Sequence, residues 1–398
     1  MAAFVISLAA LERNASILAD IKREAHCHIV LALKAFSCWK TFPTLYPFLD
    51  GCCASGLWEA KLSHETFGKH TLTYSPAYRE ADIRELLTFT HHLDFNSLSQ
   101  WHQFRHLVTN HPRYLAGEIL CGLRINPECS TGSTPLYDPC APGSRLGTTA
   151  DGLRDMDGLN GLHFHTLCEQ FAPDLAGTLD AVEQKFGHLL SSPECSYLNL
   201  GGGHWITKPN YQRDQLIQLI RNLRERYQLD VWLEPGEAIA IHTGVLRASV
   251  LDTFHSMGHQ HAILDVSATA HMPDVLEMPY RPEVFLVEPS NQNADKSECP
   301  SVTDAGESYH RADASDTTHR YRLGGPTCLA GDVISDYTFT RPLAPGDTLV
   351  FDDMAHYTMV KSTTFNGVPH PDIVLQYPDG KCETIRQFSY HDYLNRLA

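Results

Sequence analysis

A lysine at the end of an otherwise apolar segment is the first residue of this chain whose position could serve chemistry. The segment HIVLALKAFS, which begins at His28, has the composition of a buried strand and carries Lys34 near its end. Burying a lone ammonium group costs several kcal/mol unless the group is paired or its pKa falls until it is neutral. Lys34 is therefore either a lysine just past a strand end with its head in water, or a functional amine in a site.

Two further segments place potential ligand-binding groups directly after short apolar strands. In LNLGGGHW, Gly201, Gly202 and Gly203 follow a strand, and the backbone N–H groups of such a turn can converge on an anion such as phosphate. A flexible turn without a ligand has the same pattern. In WLEPGEA, Glu234 ends a strand and the Pro-Gly pair after it predicts a sharp turn.

Histidines also occur at the end of a strand, because GLHFH ends with His163 and His165. A lysine, a phosphate-binding turn, a carboxylate and an imidazole are the groups that a pyridoxal phosphate site requires. The lysine forms a Schiff base, the turn binds the phosphate, the carboxylate pairs with the pyridine nitrogen and the imidazole stacks on the ring. These residue types therefore predict a pyridoxal phosphate site with Lys34 as its attachment point.

The elements that must position these residues alternate regularly from about residue 11 to residue 240. Short apolar strands there are separated by amphipathic helical patterns, which indicates parallel βα units. Close to eight such units in about 230 residues is the length of a barrel, and barrel active sites form at the carboxyl ends of the strands. We predict an α/β chain with a TIM-like (β/α)8 barrel over residues 11–240; a doubly wound sheet is the alternative.

The pattern changes after residue 240 to strand-like segments such as VLRASVLDTF, HAILDVSA and DTLVFDD, separated by turns such as APGDT. This succession predicts a second, mainly antiparallel β domain, formed by residues 1–10 together with 241–398. Residues 289–322 are polar and almost free of large aliphatic side chains. We predict that they form a long surface insertion, partly disordered.

Composition limits the class of partner. The 398 residues include 47 acidic and 31 basic ones, a formal net charge of −16. This balance argues against nucleic acid and anionic membranes and favours cationic ligands, although solubility alone also explains it. We find no apolar run of about 18 residues and no secretory signal. Twelve cysteines without CxxC spacing predict reduced thiols in a cytoplasmic protein, and we interpret Cys52 and Cys53 as packed core thiols.

Taken in order, these motifs resemble those of the barrel-type (fold III, alanine racemase-like) pyridoxal-phosphate decarboxylases, the family of ornithine and diaminopimelate decarboxylases. LALKAFS resembles the cofactor-lysine strand, HFHT the His-x-x-Ser/Thr element, and GGG and EPG the phosphate turn and the pyridine-nitrogen carboxylate. GPTCLAGD resembles the loop that reaches the neighbouring subunit's site, and DDMAHYTMVKSTTFNG the segment whose tyrosine touches the phosphate. CASGLWEAKLS, EPGEA and LDVSATAHMPDVLEMPYRP are most similar to the branch that decarboxylates carboxynorspermidine and carboxyspermidine.

The resemblance implies a role for each matching residue. Lys34 and Cys328 would be catalytic, and either is a candidate proton donor. The cofactor would be bound by Lys34, His163, Thr166, Gly201, Gly202, Gly203, Glu234 and Tyr357. A cationic substrate would be bound by Glu237, which stands where better-known members carry a phosphate-binding arginine, by Asp274 and by Asp332. Asp274 could instead cap a helix after Pro273. Arg124, in LRINP, would lie near the cofactor, with no contact assigned.

The resemblance also implies a homodimer with shared active sites, in which Cys328 comes from the partner subunit. Three alternatives remain. A zinc-dependent barrel hydrolase is suggested by the His-x-His pairs at His26, His163 and His259, but the first strand ends in lysine and the last in Glu-Pro-Gly. A non-catalytic regulator would be expected to lack Lys34 or Cys328. A decarboxylase for diaminopimelate or another amino acid would have the same fold, and a choice between carboxynorspermidine and carboxyspermidine depends on pocket geometry.

Overall fold

The computed structural model describes residues 2–132, 134–287, 309–315 and 317–398. The chain divides into two compact units, Arg13–Ile239 and a second unit of Met1–Glu12 with Ala240–Ala398. The strands are β1 (Ala3–Ser7), β2 (His28–Ala32), β3 (Gly51–Ala54), β4 (His70–Tyr74), β5 (His92–Phe95), β6 (Leu120–Arg124), β7 (Gly161–His163), β8 (Tyr197–Asn199), β9 (Asp230–Leu233), β10 (Gly244–Ser256), β11 (His259–Leu264), β12 (Val284–Val287), β13 (Tyr309–Arg311), β14 (His319–Gly324), β15 (Val333–Phe339), β16 (Thr348–Phe351), β17 (Asp372–Gln376) and β18 (Cys382–Arg386). The α-helices are α1 (Leu8–Ala25), α2 (Phe42–Leu45), α3 (Leu57–Leu62), α4 (Glu80–Leu86), α5 (Leu98–Thr109), α6 (Pro112–Leu115), α7 (Ala172–Leu190), α8 (Arg213–Tyr227), α9 (Glu237–Ala240), α10 (Ala268–His271), α11 (Asp274–Glu277) and α12 (Tyr390–Leu397).

The first unit is a closed barrel formed by β2 to β9. Every neighbouring pair in it is parallel, and the ring closes where β9 pairs with β2, with His28 opposite Trp232. The predicted (β/α)8 barrel is confirmed, and the closure excludes the doubly wound sheet. Because all strands are parallel, the residues that end them lie together at one mouth of the barrel.

The barrel interior is filled in layers. Val30, Leu72, Tyr197 and Trp232 form an apolar cluster across the barrel. Tyr197 needs the room that Gly161 leaves, since a Cβ at that position would lie 2.3 Å from the Tyr197 ring. The barrel is therefore a packed core rather than a pore.

The second unit is a mainly antiparallel sheet, which confirms the predicted β domain. Its strand order is β13-β12-β16-β10-β1-β17-β18, and β11, β14 and β15 continue from β10. The amino-terminal strand β1 lies between β10, to which it is antiparallel, and β17, to which it is parallel. Its apolar side chains therefore lie within the sheet rather than at an edge.

The prediction of a polar surface insertion over residues 289–322 is wrong for the end of that segment. Residues 289–308 lie outside the described part of the chain, but Tyr309–Arg311 pair with β12, and β14 pairs with both β11 and β15. Tyr321 and Leu323 are buried in the core of the unit. The alternation of these two side chains with arginines is the period of a half-buried strand, which the overall polarity of the segment obscured.

Candidate active site

Polar side chains gather where the barrel strands end. Lys34 follows β2 by two residues, Arg124 ends β6, His163 ends β7 and Asn199 ends β8. Glu234 directly follows β9. This edge is where the active sites of parallel barrels form.

The environment of Lys34 favours its neutral amine. Desolvation lowers the pKa of the amine, and the charge of Arg124 lowers it further, although Cys53 and Glu234 oppose the shift. The residue as a whole is nevertheless exposed. Its Nζ lies 3.3 Å from Nε2 of His165. Lys34 is thus exposed as a residue, but its amine contacts His165 instead of lying free in water.

Glu234 is held by a neighbouring amide. Asn199 Nδ2 donates to Glu234 Oε1 at 2.6 Å, and Asn199 Oδ1 accepts the Gly201 N–H at 2.9 Å. The pKa of the Cys53 thiol is raised by desolvation and then by the charge of Glu234, to which it also hydrogen-bonds. Cys53 is therefore part of the mouth of the barrel and not simply a packed core thiol, whereas Cys52 is fully buried.

His163 is buried between two carboxylates. Its Nδ1 lies 3.3 Å from Asp94 Oδ2 and its Nε2 lies 3.7 Å from Glu234 Oε2. Neither ring nitrogen has a partner in hydrogen-bond geometry. Asp94 is fixed in turn by Tyr197, whose hydroxyl donates to Asp94 Oδ1 at 2.5 Å. A buried imidazole without partners for its nitrogens is suited to a site that a ligand completes.

The three glycines form a turn that has no room for side chains. A Cβ at Gly202 would lie 2.2 Å from the carbonyl oxygen of Glu234, and a Cβ at Gly203 would lie 1.9 Å from that of Leu167. Gly201 and Gly203 have φ values of 66° and 86°, in the left-handed region. The Gly202 N–H donates to Nδ1 of His165 at 2.9 Å. The turn thus presents bare backbone beside Lys34 and Glu234.

The structure brings eight of the predicted site residues into the barrel unit and leaves the other four in the sheet unit. In the barrel unit are Lys34, His163, Thr166, Gly201, Gly202, Gly203, Glu234 and Glu237; in the sheet unit are Asp274, Cys328, Asp332 and Tyr357. Thr166 is buried, with its hydroxyl 3.4 Å from that of Thr178. Glu237 begins α9, and its Oε1 accepts from the indole of Trp205 at 2.7 Å.

The two aspartates predicted to bind substrate have partners within the sheet unit. Asp274 is the first residue of α11 and forms an ion pair with Lys361, while Pro273 occupies the N-cap position. Asp274 is therefore not the helix N-cap of the alternative interpretation. Asp332 is buried and accepts from the hydroxyls of Ser267 and Thr327 at 2.9 and 2.7 Å.

Cys328 and Tyr357 lie in irregular segments of the sheet unit. Cys328 is exposed, and its backbone N–H donates to Asn366 Oδ1 at 2.8 Å. Tyr357 has a φ of 52°, a conformation that costs a non-glycine residue energy and that is frequent at functional sites. Both observations are compatible with the predicted roles, which stay predictions.

Three residues hold the predicted ones in place: sequence reasoning names His165 without this role and misses Asp94 and Asn199. Asp94 and Asn199 did have a signal, because each is a polar residue inside a short buried strand, where an unpaired polar side chain is costly. The role of His165 had no such signal. Its contact with Lys34 joins residues that are 131 positions apart in the chain.

Neither a metal site nor a membrane span is found in the described part of the chain. There, no three or more His, Cys, Asp or Glu side chains group in a way that could hold a metal ion. No helix among these residues combines the length and the apolar character needed to cross a bilayer.

The chain is similar over its length to known decarboxylases. The profile of the family described as pyridoxal-dependent decarboxylase, C-terminal sheet domain, matches residues 4–355. A carboxyaminopropylagmatine decarboxylase from Synechocystis sp. is 43% identical over 99% of this chain and 95% of its own length. A carboxynorspermidine/carboxyspermidine decarboxylase from Campylobacter jejuni is 39% identical over 98% of this chain and 97% of its own.

Solved structures agree with these sequence relationships. The carboxynorspermidine decarboxylase of Campylobacter jejuni, in complex with norspermidine, superposes with a TM-score of 0.83 at 38% identity, covering 100% of this chain and 99% of that one. Diaminopimelate decarboxylase from Helicobacter pylori, in complex with L-lysine, superposes with a TM-score of 0.79 at 15% identity, covering 100% of this chain and 96% of that one. The second likeness concerns the fold alone.

Proposed function

The chain belongs to the family of pyridoxal-dependent decarboxylases, and from this premise we propose that it decarboxylates a carboxylated polyamine, carboxynorspermidine or carboxyspermidine, to norspermidine or spermidine. Family membership confirms the predicted class of enzyme, a carboxy-lyase, and its cofactor, pyridoxal phosphate. It also decides against the zinc hydrolase alternative. The observation that carries the substrate proposal is Glu237, a carboxylate placed next to the mouth of the barrel by the Glu-Pro-Gly turn.

The residues at the mouth of the barrel fit the cofactor. Lys34 offers an amine whose pKa is lowered by desolvation, as a Schiff-base lysine requires. The glycine turn packs so closely against the carbonyl oxygens of Glu234 and Leu167 that no Cβ fits, which fixes the backbone that we propose binds the phosphate. Asn199 orients Glu234, the carboxylate proposed to pair with the pyridine nitrogen. When bound, the cofactor supplies the electron sink that makes loss of carbon dioxide possible.

The chain's own residues then have separate tasks. Glu234 would hold a proton on the pyridine nitrogen, and His163 would stack on the ring. Lys34 would attach the cofactor and release it to the substrate amine, and either Lys34 or Cys328 would return a proton to the carbon that has lost its carboxylate. Thr166 would join the glycine turn in binding the phosphate, and Tyr357 stays a predicted phosphate ligand.

Glu237 is suited to a substrate with more than one cationic group. Its Oε1 is held by the Trp205 indole at 2.7 Å, which fixes the carboxylate in one orientation. A carboxylate next to the site attracts an ammonium group and repels a second carboxylate. This argues for a polyamine-like substrate and against diaminopimelate. Asp274 and Asp332 stay predicted substrate ligands; Asp274 would then exchange its ion pair with Lys361 for one with the substrate.

A second candidate substrate is carboxyaminopropylagmatine, the compound in the name of the relative that is 43% identical. It ends in a guanidinium group where the carboxylated polyamines end in an ammonium group. Both cations pair with carboxylates, but only the guanidinium binds in a planar, two-pronged manner. The same acidic residues would therefore serve either substrate.

We further propose that the enzyme is a cytoplasmic homodimer with shared active sites. Cys328 is exposed, and the adjacent Leu329 is 45% exposed, so this segment offers a thiol and apolar surface to a partner. On the barrel unit Trp58 is 86% exposed. Tryptophan is enriched at protein interfaces. A second copy of the chain would cover such side chains.

Parallel assays of the candidate substrates test the proposal. Carbon dioxide release should be measured with carboxynorspermidine, carboxyspermidine, carboxyaminopropylagmatine and diaminopimelate at equal concentrations. We expect the highest kcat/KM with a carboxylated polyamine and no turnover of diaminopimelate. Preference for carboxyaminopropylagmatine would support the second candidate, and preference for diaminopimelate would contradict both.

A further inference from the structure

His165 contacts both Lys34 and the glycine turn, the two groups proposed to bind the cofactor. The proposed function gives His165 itself no role. Its Nε2 lies 3.3 Å from Lys34 Nζ, and its Nδ1 accepts the Gly202 N–H at 2.9 Å. Its carbonyl oxygen accepts from the Arg124 guanidinium at 3.1 Å. One imidazole thus bridges the lysine and the glycine turn, and its own backbone is anchored by a buried cation.

The partners of the ring determine where its proton lies. A backbone N–H can only donate, so Nδ1 of His165 must present its lone pair to Gly202. A neutral imidazole has a single proton, which is therefore on Nε2 and points at Lys34 Nζ. Nζ can accept this proton only as a neutral amine, because an ammonium group has no lone pair.

The electrostatic surroundings of the ring agree with this assignment. The pKa of the His165 imidazole is lowered well below its ordinary value, chiefly by desolvation, and the charge of Arg124 lowers it further. The ring consequently stays neutral at physiological pH. A protonated ring would face Gly202 with an N–H instead of a lone pair, and the bridge would break.

We propose that His165 is a positioning residue that holds Lys34 as a neutral amine, with the glycine turn as the fixed point against which the ring is oriented. Only the neutral amine has the lone pair that can bond to a carbonyl carbon. His165 would keep Lys34 in this form before the cofactor binds and whenever the substrate amine has displaced it. The inference rests on the proposed function, since it concerns the same lysine, but it does not depend on which polyamine is the substrate.

Two substitutions separate the two contacts of the ring. In His165→Gln the terminal amide nitrogen replaces Nε2 and can still donate to Lys34. In His165→Asn the amide oxygen replaces Nδ1 and can still accept from Gly202, but no donor reaches Lys34. The two variants have similar polarity and both remove the imidazole, so each serves as the control for the other.

The pKa of Lys34 should be measured in the cofactor-free protein by competitive acetylation with acetic anhydride across a range of pH, with mass spectrometry of the Lys34 peptide and of exposed Lys40 as internal reference. We expect a lowered pKa in the wild type and in His165→Gln. In His165→Asn the reactive fraction at pH 7 should fall about tenfold for each unit by which the pKa rises. The rate at which added pyridoxal phosphate develops its lysine-linked absorption band should fall in proportion.

Other results would overturn the inference. If Lys34 of the wild type titrates like an exposed lysine, His165 does not hold it neutral. If both variants titrate like the wild type, burial alone sets the state of the lysine. If the pKa of Lys34 shifts equally in both, the hydrogen bond from Nε2 is not what holds the amine neutral. Since these measurements use no substrate, they are independent of the substrate assays, in which a failure of the proposed function would appear.

Discussion

Glu234 depends on a neighbour for its orientation, which makes Asn199 the sharpest single-residue test of the cofactor site. Asn199→Ala removes both the donor to Glu234 and the acceptor for the Gly201 N–H. A hydrogen bond to a charged group contributes about 1.5–3 kcal/mol, so we expect the Kd of pyridoxal phosphate to rise about 10- to 100-fold. The measurement is titration of the cofactor-free enzyme, followed by absorption.

Asn222→Ala is the matched control for that variant. Asn222 lies exposed on α8, where its side chain accepts from Gln218. Its replacement should leave the Kd at the wild-type value. Equal cofactor affinity in both variants would show that Asn199 does not support Glu234.

Replacement of Glu237 tests whether its carboxylate binds a cationic group of the substrate. Glu237→Gln keeps an acceptor for the Trp205 indole and removes the negative charge. We expect the KM for carboxynorspermidine to rise about tenfold through loss of a charge-assisted hydrogen bond, with an unchanged absorption spectrum of the bound cofactor. An unchanged KM would remove Glu237 from the substrate site, and a changed spectrum would assign it to the cofactor instead.

The site residues that can be predicted from the sequence are those that directly follow a barrel strand. Lys34, Glu234 and the glycines were predicted at one mouth because parallel strands end together. The role of Asn199 does not follow from its own segment, because its hydrogen bond to Glu234 joins residues at the ends of two different strands. The contact of His165 with Lys34 depends on how strands β2 and β7 are placed around the barrel, which no local pattern records.

At the scale of elements, the glycine turn after β8 can be tested against another glycine of the chain. A Cβ at Gly202 would lie 2.2 Å from a backbone oxygen, so Gly202→Ala must displace the turn. We expect loss of phosphate binding, seen as at least a tenfold higher Kd for pyridoxal phosphate and little change for pyridoxal, with about 1.4 kcal/mol for each factor of ten.

Gly177→Ala is the control for the turn. Gly177 lies in α7, where a Cβ would meet nothing within 4 Å. Alanine there should stabilise the helix by about 1 kcal/mol and leave cofactor affinity unaltered. Equal cofactor affinities in the two glycine variants would contradict a phosphate-binding turn at Gly202.

His92, at the start of β5, predicts that the folded protein loses stability at acid pH. His92 is buried, with its ring 4.5 Å from Tyr197 and 4.7 Å from Trp232, and burial lowers the pKa of its imidazole to about 3. The unfolded chain, with a histidine pKa of about 6.5, binds the proton more readily, so stability falls as the pH drops from about 6.5 toward 3, by about 1.4 kcal/mol per pH unit from this group.

Urea unfolding between pH 7.5 and pH 5 measures this effect. His92→Leu should flatten the dependence of the urea midpoint on pH below about 6.5, where His92 accounts for part of the slope. Above pH 7 the profile of the variant should be as flat as that of the wild type. A variant with the wild-type slope at acid pH would show that other groups cause the acid sensitivity.

Helices and strands follow from the sequence where apolar residues recur at one regular spacing. They do not follow where the overall polarity of a segment is the only guide. The barrel followed from alternating apolar strands and amphipathic helices. Strand β14 was assigned to a polar insertion, because the arginines and histidine around Tyr321 and Leu323 outweighed the alternation. Charged side chains on the exposed face of a strand are compatible with a buried opposite face.

At the scale of the whole molecule, the proposed shared active site can be tested by subunit mixing. Lys34→Ala and Cys328→Ala should each be nearly inactive as homodimers. If Cys328 serves the partner's site, a mixed dimer has one site with both residues intact, and statistical mixing should restore about a quarter of wild-type activity. Activity that does not recover on mixing, in dimers shown to have exchanged subunits, would contradict the shared site.

The most direct test of the central claim is the absorption spectrum of the purified protein with pyridoxal phosphate, before and after carboxynorspermidine is added, beside Lys34→Ala. We expect a lysine-linked absorption band that is absent from Lys34→Ala and is perturbed by the substrate, with release of carbon dioxide. A wild-type protein that stays colourless with pyridoxal phosphate, or a band that survives in Lys34→Ala, would contradict the assignment of Lys34 as the cofactor lysine.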